Sequence, residues 1–240
     1  MKLSIIVPAY DEEDNIVRVI REIEESLDLD HELVVVNDHS TDRTPDLVTE
    51  LSKEYPAVRL VNNLGQKGFT NALKTGFLNS GGEVILPIMG DLCDDLVTVG
   101  KMYDKIREGY DVVCGSRYMK GGRRLGGSKL KAFFSSLGGI SLYHILGVPT
   151  HDIANAFKMY RKEVVQAIDI QATGFEISME LPLKAYYLGF KITEVSTVWR
   201  ERTKGKSSFK IFRLLPNYLK LYIWGIYKSF FGTKRRFNAG

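Results

Sequence analysis

Leu3-Ser4-Ile5-Ile6-Val7-Pro8-Ala9-Tyr10-Asp11-Glu12-Glu13 is the stretch on which the fold turns. Leu3 to Val7 is an apolar, β-rich run closed by Pro8, the profile of a short buried strand. Ile16, Val19, Ile20, Ile23 and Leu27 then recur at helical spacing along one face. A dinucleotide-binding unit would set a glycine-rich turn between this strand and this helix. Here the connection reads Pro8-Ala9-Tyr10-Asp11-Glu12-Glu13, without a glycine. The Gly65-Gln66-Lys67-Gly68 loop follows the third strand and has the wrong spacing for that fingerprint.

The alternation continues outward from this unit. Leu33–Val36 reads as a second strand, and Ser40/Thr41 to Leu51 as a capped helix with Pro45 in its first turn. Val58–Val61 and Val84–Ile88 are further strands, followed by helices over Thr70–Leu78 and Leu96–Ile106, and Val112–Cys114 is a fifth strand. Repeated strand–helix units imply an α/β fold with a mostly parallel sheet and ligands at the strands' carboxyl ends. Lys120–Ser128 is rich in Gly, Arg and Lys and is predicted to be a mobile loop. Beyond it the pattern predicts a helix over about 131–146, a polar turn at His151-Asp152, a helix near Phe175–Leu188 and a strand over Lys191–Val195. No internal repeat and no dividing linker is visible.

The 240 residues are 44% hydrophobic and 26% charged, ordinary for a globular chain able to bury a core. Two cysteines, Cys93 and Cys114, exclude a disulfide framework and lack zinc-ligand spacing. The N-terminus lacks the apolar region of a signal peptide, and no stretch of 18 apolar residues occurs, so a cytoplasmic setting is expected. The net charge of +4 conceals an asymmetry. Residues 200–240 hold 11 Lys and Arg against the single acid Glu201, whereas the preceding 199 residues hold 22 against 28. A basic tail on an acidic body points to an anionic partner for the tail.

Just past the fourth strand, Pro87-Ile88-Met89-Gly90-Asp91-Leu92-Cys93-Asp94-Asp95 gathers three carboxylates. Carboxylates at a strand's carboxyl edge suit an ion that carries a diphosphate. The same residues also read as an acidic strand-to-helix loop with Asp95 capping the next helix.

Three strand ends carry a family resemblance. Pro8-Ala9-Tyr10-Asp11-Glu12 resembles the Pro-x-Tyr-Asn-Glu opening of family 2 glycosyltransferases of the GT-A fold. Val35-Val36-Asn37-Asp38-His39-Ser40-Thr41-Asp42-Arg43-Thr44 is similar to their Val-Asp-Asp-Gly-Ser-x-Asp-x-Thr segment, and Asn63 to Ala72 to their Asn-x-Gly-x-x-Gly-x-x-x-Ala loop. Gly115-Ser116-Arg117-Tyr118, Asp152 with Phe157-Lys158, Gly174-Phe175-Glu176 with Glu180, and Arg200-Glu201-Arg202 before Gly205-Lys206-Ser207 resemble the group that glycosylates polyprenyl phosphates, such as dolichol-phosphate mannosyltransferases. The likeness spans residues 3 to about 210, implying a GT-A domain over 1–208; residues 209–240 fall outside it and read as a basic, aromatic amphipathic helical tail.

The resemblance implies inverting transfer of a hexose from a GDP- or UDP-sugar to a polyprenyl phosphate. Pro8, Tyr10, Glu12, Asp38, Lys67, Gly68 and Asp91 would bind the donor, with Asp38 accepting the base imide N–H and Arg202 reaching the phosphates. Arg117, Lys131, Ser135, Asp152 and Glu176 would serve the acceptor, and Asp91, Arg117 and Arg202 the transfer itself. A phosphate nucleophile is already ionised near neutral pH, so it needs positioning rather than a base. On residue type alone, Asp38 also reads as a helix-proximal cap, Arg202 as a solvated tail residue and Lys131 as an ordinary exposed lysine. An acceptor hydroxyl on a soluble sugar or glycan would instead call for a carboxylate base, for which Asp152 or Glu176 could stand.

The metal motif departs from the family's Asp-x-Asp-x-Gln, reading Met89, Asp91 and Cys93 at those positions. Met89 reads as strand-end packing, and Cys93 is a poor ligand for a hard ion. Three readings stay open: weakened use of Mg²⁺ or Mn²⁺, an ion held by Asp91 and Asp94, or a nucleotide-sugar-binding protein that no longer transfers. In the tail, Ile211, Leu214/Leu215, Tyr218, Tyr222 and Ile226 fall at helical spacing among Lys and Arg, and Pro216 is predicted to start a second helix. That stripe suits an anionic membrane surface, or packing on the protein's own core or a twin subunit. A membrane-anchored partner subunit is a further expectation of the resemblance; a nucleic-acid partner is not expected, since no recognition module accompanies the tail.

Overall fold

The computed structural model describes residues 1–90, 93–201 and 211–231, apart from the side chains of residues 131 and 211–213. The elements run β1 (Leu3–Ala9), α1 (Ile16–Ser26), β2 (His31–Asn37), α2 (Thr44–Glu54), β3 (Val58–Asn62), α3 (Phe69–Asn79), β4 (Val84–Pro87), α4 (Val97–Arg107) and β5 (Val112–Ser116). They continue with β6 (Arg123–Leu125), α5 (Lys129–Leu146), β7 (Lys158–Arg161), α6 (Lys162–Ala167), α7 (Ile177–Leu188), β8 (Ile192–Ser196), β9 (Val198–Arg200) and α8 (Ile211–Phe231).

Seven strands form one sheet in the order β3-β2-β1-β4-β7-β5-β8. β1 pairs in parallel with β2 and β4, β2 with β3, and β5 with β8; β7 is antiparallel to both its neighbours. This is the mixed, mostly parallel α/β sheet that the alternation predicts. Because its strands are buried on both faces, they read as unbroken apolar runs such as Leu33-Val34-Val35-Val36. One core layer packs α1, α2 and α4 residues such as Ile20, Val48 and Met102 under Ile5 and Val35. The other packs Leu73, Val164 and Leu181 against Ile6, Val34 and Ile85.

Two expectations are corrected. Lys120–Ser128 is not wholly loop: Arg123–Leu125 forms β6, in parallel register with β9, because Thr197 and Leu125 carbonyls accept the Arg123 and Glu201 N–H groups. Pro216 starts no second helix but lies inside the continuous α8. Of the settings open to the α8 stripe, the structure shows packing on the protein's own core. Tyr218, Leu221, Tyr222, Trp224 and Ile226 pack on a third cluster built from Leu142, Leu146, Val148, Ile153, Met179 and Leu183. Leu219, Ile223, Tyr227, Phe230 and Phe231 face outward instead. Among the described residues no helix is long and apolar enough to cross a membrane.

Candidate active site

Sharp turns at the carboxyl ends of β1 and β2 open a crevice. Asp11 and His39, the turn residues, take left-handed backbone conformations at φ 49° and 62°, unusual for residues other than glycine. The two turns are laced together: Thr41 N–H donates to Asp11 Oδ1 at 2.7 Å, and Asp11 N–H to Ser40 Oγ at 3.1 Å. Asp38 sits inside this crevice, buried. Its carboxylate accepts Asn63 Nδ2 at 2.7 Å and, through Oδ2, the Gly68 N–H at 2.9 Å. Asp38 therefore does not cap α2, whose entry is tied by Asp42 Oδ1 accepting Thr44 N–H at 2.9 Å. Gly68 reaches Asp38 with φ 153° and ψ 147°, a conformation essentially reserved for glycine. Lys67, beside it, holds its Nζ 3.1 Å above the Tyr10 ring centroid, a close cation–π contact.

Next to this crevice lies a cavity of about 650 Å³. Its polar end is walled by Glu12, Asp94, Arg117, Ser135, Arg124 and Glu201. Its apolar arm runs between α5 and α8, past Phe134, Leu137, Leu214, Leu215, Tyr218 and Tyr222. The β6–β9 pair closes one side, with the Arg124 guanidinium 4.4 Å from the Trp199 ring. Arg200 N–H donates to the Cys93 carbonyl at 2.9 Å, fastening the acidic loop to β9.

Arg117 is firmly anchored in this wall. Its Nε and Nη2 donate to Asp152 Oδ2 and Oδ1 at 2.6 and 2.8 Å, and its backbone N–H adds a third bond to Asp152 at 3.0 Å. Nη2 also donates to Ser135 Oγ at 3.0 Å. Burial works against the guanidinium's charge, but the Asp152 carboxylate outweighs it and holds the Arg117 pKa above its ordinary value. Gly139 makes the arrangement possible: a Cβ there would collide with the His151 carbonyl, so α5 could not approach closely enough for Ser135 to meet Arg117.

Beneath Asp152 lies Lys158, fully buried, donating to the carbonyls of Ile153 (2.9 Å) and Asn155. Desolvation pulls its pKa down to about 8, while Cys114, Asp152 and Asp94 pull the other way. Burial pushes the neighbouring Cys114 thiol up to about 11.

A family model described as "Glycosyl transferase family 2" matches residues 4–169, more than half of the chain. The chain belongs to glycosyl transferase family 2. It is 33% identical over 232 residues to a dolichol-phosphate mannosyltransferase of Pyrococcus furiosus, covering 93% of this chain and 64% of that one. The chain thus spans somewhat under two thirds of that relative's length. To a polyprenol monophosphomannose synthase of Mycolicibacterium smegmatis it is 29% identical over 236 residues, 92% of this chain and 86% of the other. The fold is also that of glucosyl-3-phosphoglycerate synthase from Mycobacterium tuberculosis, crystallised with Mn²⁺, UDP and glucosyl-3-phosphoglycerate. The TM-score is 0.69 at 18% identity, over 95% of this chain and 79% of that one.

Of the residues that the family resemblance marks for the donor, Pro8 and Glu12 line the cavity, while Tyr10, Asp38, Lys67 and Gly68 cluster in the adjoining crevice. Of those marked for the acceptor, Arg117 and Ser135 line the cavity together. Asp152 is placed behind Arg117, fully buried, as its counter-ion rather than in the cavity wall. Glu176 is likewise buried at the start of α7, its Oε1 accepting the Thr173 and Gly174 N–H groups at 3.0 and 3.1 Å. Asp91, Arg202 and the side chain of Lys131 lie outside the described residues.

Among the described residues no three His, Cys, Asp or Glu side chains gather to hold a metal. Of the described carboxylates in the acidic loop, Asp94 lines the cavity, an oxygen ligand of the kind Mg²⁺ and Mn²⁺ prefer. Asp95 stands by α4 instead, its Oδ2 accepting Thr98 Oγ1 at 3.4 Å; the N-cap position is Leu96, without a side-chain cap. Met89 lines the cavity rather than only packing the strand end. Arg124, Trp199 and Glu201 also line the cavity; the Arg123-Arg124 pair in a Gly-rich stretch is the sequence signal for Arg124, and the Arg200-Glu201-Arg202 segment that for Glu201.

Proposed function

We propose that this chain transfers a hexose from a GDP- or UDP-sugar to a polyprenyl phosphate, with inversion, at a membrane surface. The cavity's two-ended chemistry carries the reading. A phosphate binds where the buried, carboxylate-held Arg117 meets Ser135, and an isoprenoid chain lies in the apolar arm between α5 and α8. The names of the two relatives support this acceptor class. A soluble sugar acceptor would leave that apolar arm without a ligand.

In this account Asp38 reads the base from the crevice, with Pro8, Tyr10 and Glu12 along the nucleoside and Lys67 and Arg202 toward the diphosphate. Asp91 and Asp94 would hold a divalent ion which, when bound, neutralises charge on the leaving nucleoside diphosphate. That the solved structural neighbour holds Mn²⁺ supports such an ion. Arg117, with Lys131 and Ser135, orients the acceptor phosphate in line and screens its repulsion from the donor. Asp152 fixes the guanidinium's direction, so little reorganisation accompanies transfer.

Two helices supply the membrane face. Phe133, Leu137, Ile140 and Ile145 of α5 and Leu219, Ile223, Tyr227 and Phe230 of α8 are exposed. Lys129, Lys220 and Lys228 accompany them on the same two helices, a composition suited to anionic headgroups. A peripheral site on the cytoplasmic membrane face, alone or beside a membrane-anchored subunit or a twin copy, follows from this reading. Incubation of the purified chain with radiolabelled GDP- and UDP-hexoses and a short polyprenyl phosphate tests it. A labelled glycolipid is expected; label appearing only on added soluble sugars would overturn the acceptor assignment.

A further inference from the structure

The tail helix reaches the nucleotide crevice through a short relay. Asn217 of α8 donates from Nδ2 to Glu176 Oε1 at 3.0 Å. That same oxygen accepts the N–H groups of Thr173 and Gly174, so one buried carboxylate atom holds the turn before α7 and the tail helix together. The next tail residue, Tyr218, donates its hydroxyl to the Phe175 carbonyl at 2.9 Å. On its far side the turn grips the start of α3: Thr70 Oγ1 donates to the Gly174 carbonyl at 2.8 Å, and the Phe69 and Phe175 rings stack with centroids 4.5 Å apart. Phe69 and Thr70 directly follow Gly68, whose N–H fixes the Asp38 carboxylate.

We propose that Asn217, acting through Glu176 and the Thr173–Phe175 turn, is a positioning residue for the nucleotide-binding crevice, so that the tail helix sets donor affinity. The inference rests on the donor reading above. Its physical basis is the burial of the Glu176 carboxyl group. A buried carboxylate demands several donors. When Asn217 withdraws one, the turn relaxes, and the turn is what Thr70 and Phe69 lean on. Asp38 loses its alignment only at the end of that sequence, with no tail atom touching the nucleotide.

The test is calorimetric titration of GDP and of UDP, each with Mn²⁺, into the full chain and its Asn217→Ala, Thr70→Val and doubly substituted forms. Whichever nucleotide binds the unmodified chain should bind each single variant about five- to tenfold more weakly. The double variant should be no more than about twofold worse than either single one, because both changes disable one turn. Thr70→Ser should restore affinity, and the apparent KM for polyprenyl phosphate should stay within about twofold throughout. Unchanged nucleotide affinity, or losses that multiply fully in the double variant, would overturn the inference while leaving the donor reading intact. If the unmodified chain binds neither nucleotide, the donor reading fails and this inference with it.

Discussion

The Arg117 guanidinium grips the fully buried Asp152 carboxylate with two bonds, 2.6 and 2.8 Å long, and still reaches Ser135 at the cavity wall. A charge held so firmly can face a ligand phosphate without paying for its own orientation at each turnover. Breaking the pair from the buried side should therefore be costly. Asp152→Asn should destabilise the fold by about 3–5 kcal/mol, since it strands a buried cation. Urea unfolding monitors this, and a loss below about 1 kcal/mol would show the pair to be dispensable.

Substituting the other partner separates binding roles. Arg117→Lys keeps a charge but loses the planar fork. The apparent KM for polyprenyl phosphate should rise about tenfold or more, with donor KM within about twofold. A donor KM that rises instead would move Arg117 to the donor side.

Lys158 and Cys114 set opposing pH dependences. The folded-state pKa of Lys158 is lowered to about 8 from 10.5, so above pH 8 the unfolded chain holds the extra proton and stability rises with pH. Cys114 is raised to about 11 from 9.0, so from pH 9 the folded chain holds the extra proton and this contribution falls as pH rises. Each saturates at about 1.4 kcal/mol per pH unit. Stability should therefore climb between pH 8 and 9, level off, and fall above about pH 10, where burial keeps the Tyr160 and Tyr218 phenols protonated in the folded chain. Cys114→Ala should let the climb continue to about pH 9.5, where the tyrosines begin to oppose it, and Lys158→Met should abolish it. Urea midpoints across pH 7–10.5 read this directly, and superimposable curves for the three proteins would refute the pairing.

The two faces of α8 should respond differently. Ile223→Asp or Phe230→Asp, on the outward face, should lower sedimentation with anionic liposomes several-fold and leave the melting temperature unchanged. Trp224→Ala, on the packed face, should cost about 2–3 kcal/mol, below the 3–5 of a fully buried aromatic. Equal sedimentation of the outward-face variants and the unmodified chain would remove the membrane role from this surface.

At the acidic loop, Asp94 lines the cavity and Asp95 does not. Asp94→Asn should cut turnover at least tenfold, and Asp95→Asn less than twofold. Equal, small losses would take Asp94 out of the metal site.

Much of the sheet was readable because its strands are continuous apolar runs with helical faces between them. β7 was not, and Lys158 shows why. A charged residue inside a four-residue strand breaks the apolar signal, and only the three-dimensional structure reveals the two carbonyls that satisfy it. The tail's periodicity correctly announced a helix, but a helix apolar on two sides does not say which side is buried. Pro216 suggested a break because the residue's local preference is clear; packing of the following turns against Leu142 and Leu183 keeps the helix continuous. Of the site, the motifs marked Asp38, Arg117 and Ser135. The pairing of Arg117 with Asp152 joins residues 35 positions apart, and no local spacing encodes it.

The most direct test of the account is glycolipid formation from GDP- and UDP-hexoses with a short polyprenyl phosphate, run with Mn²⁺, with Mg²⁺ and with EDTA. A product is expected with one nucleotide class, dependent on the metal and lost in Arg117→Ala. Nucleotide-sugar binding without any glycolipid under either metal would contradict it.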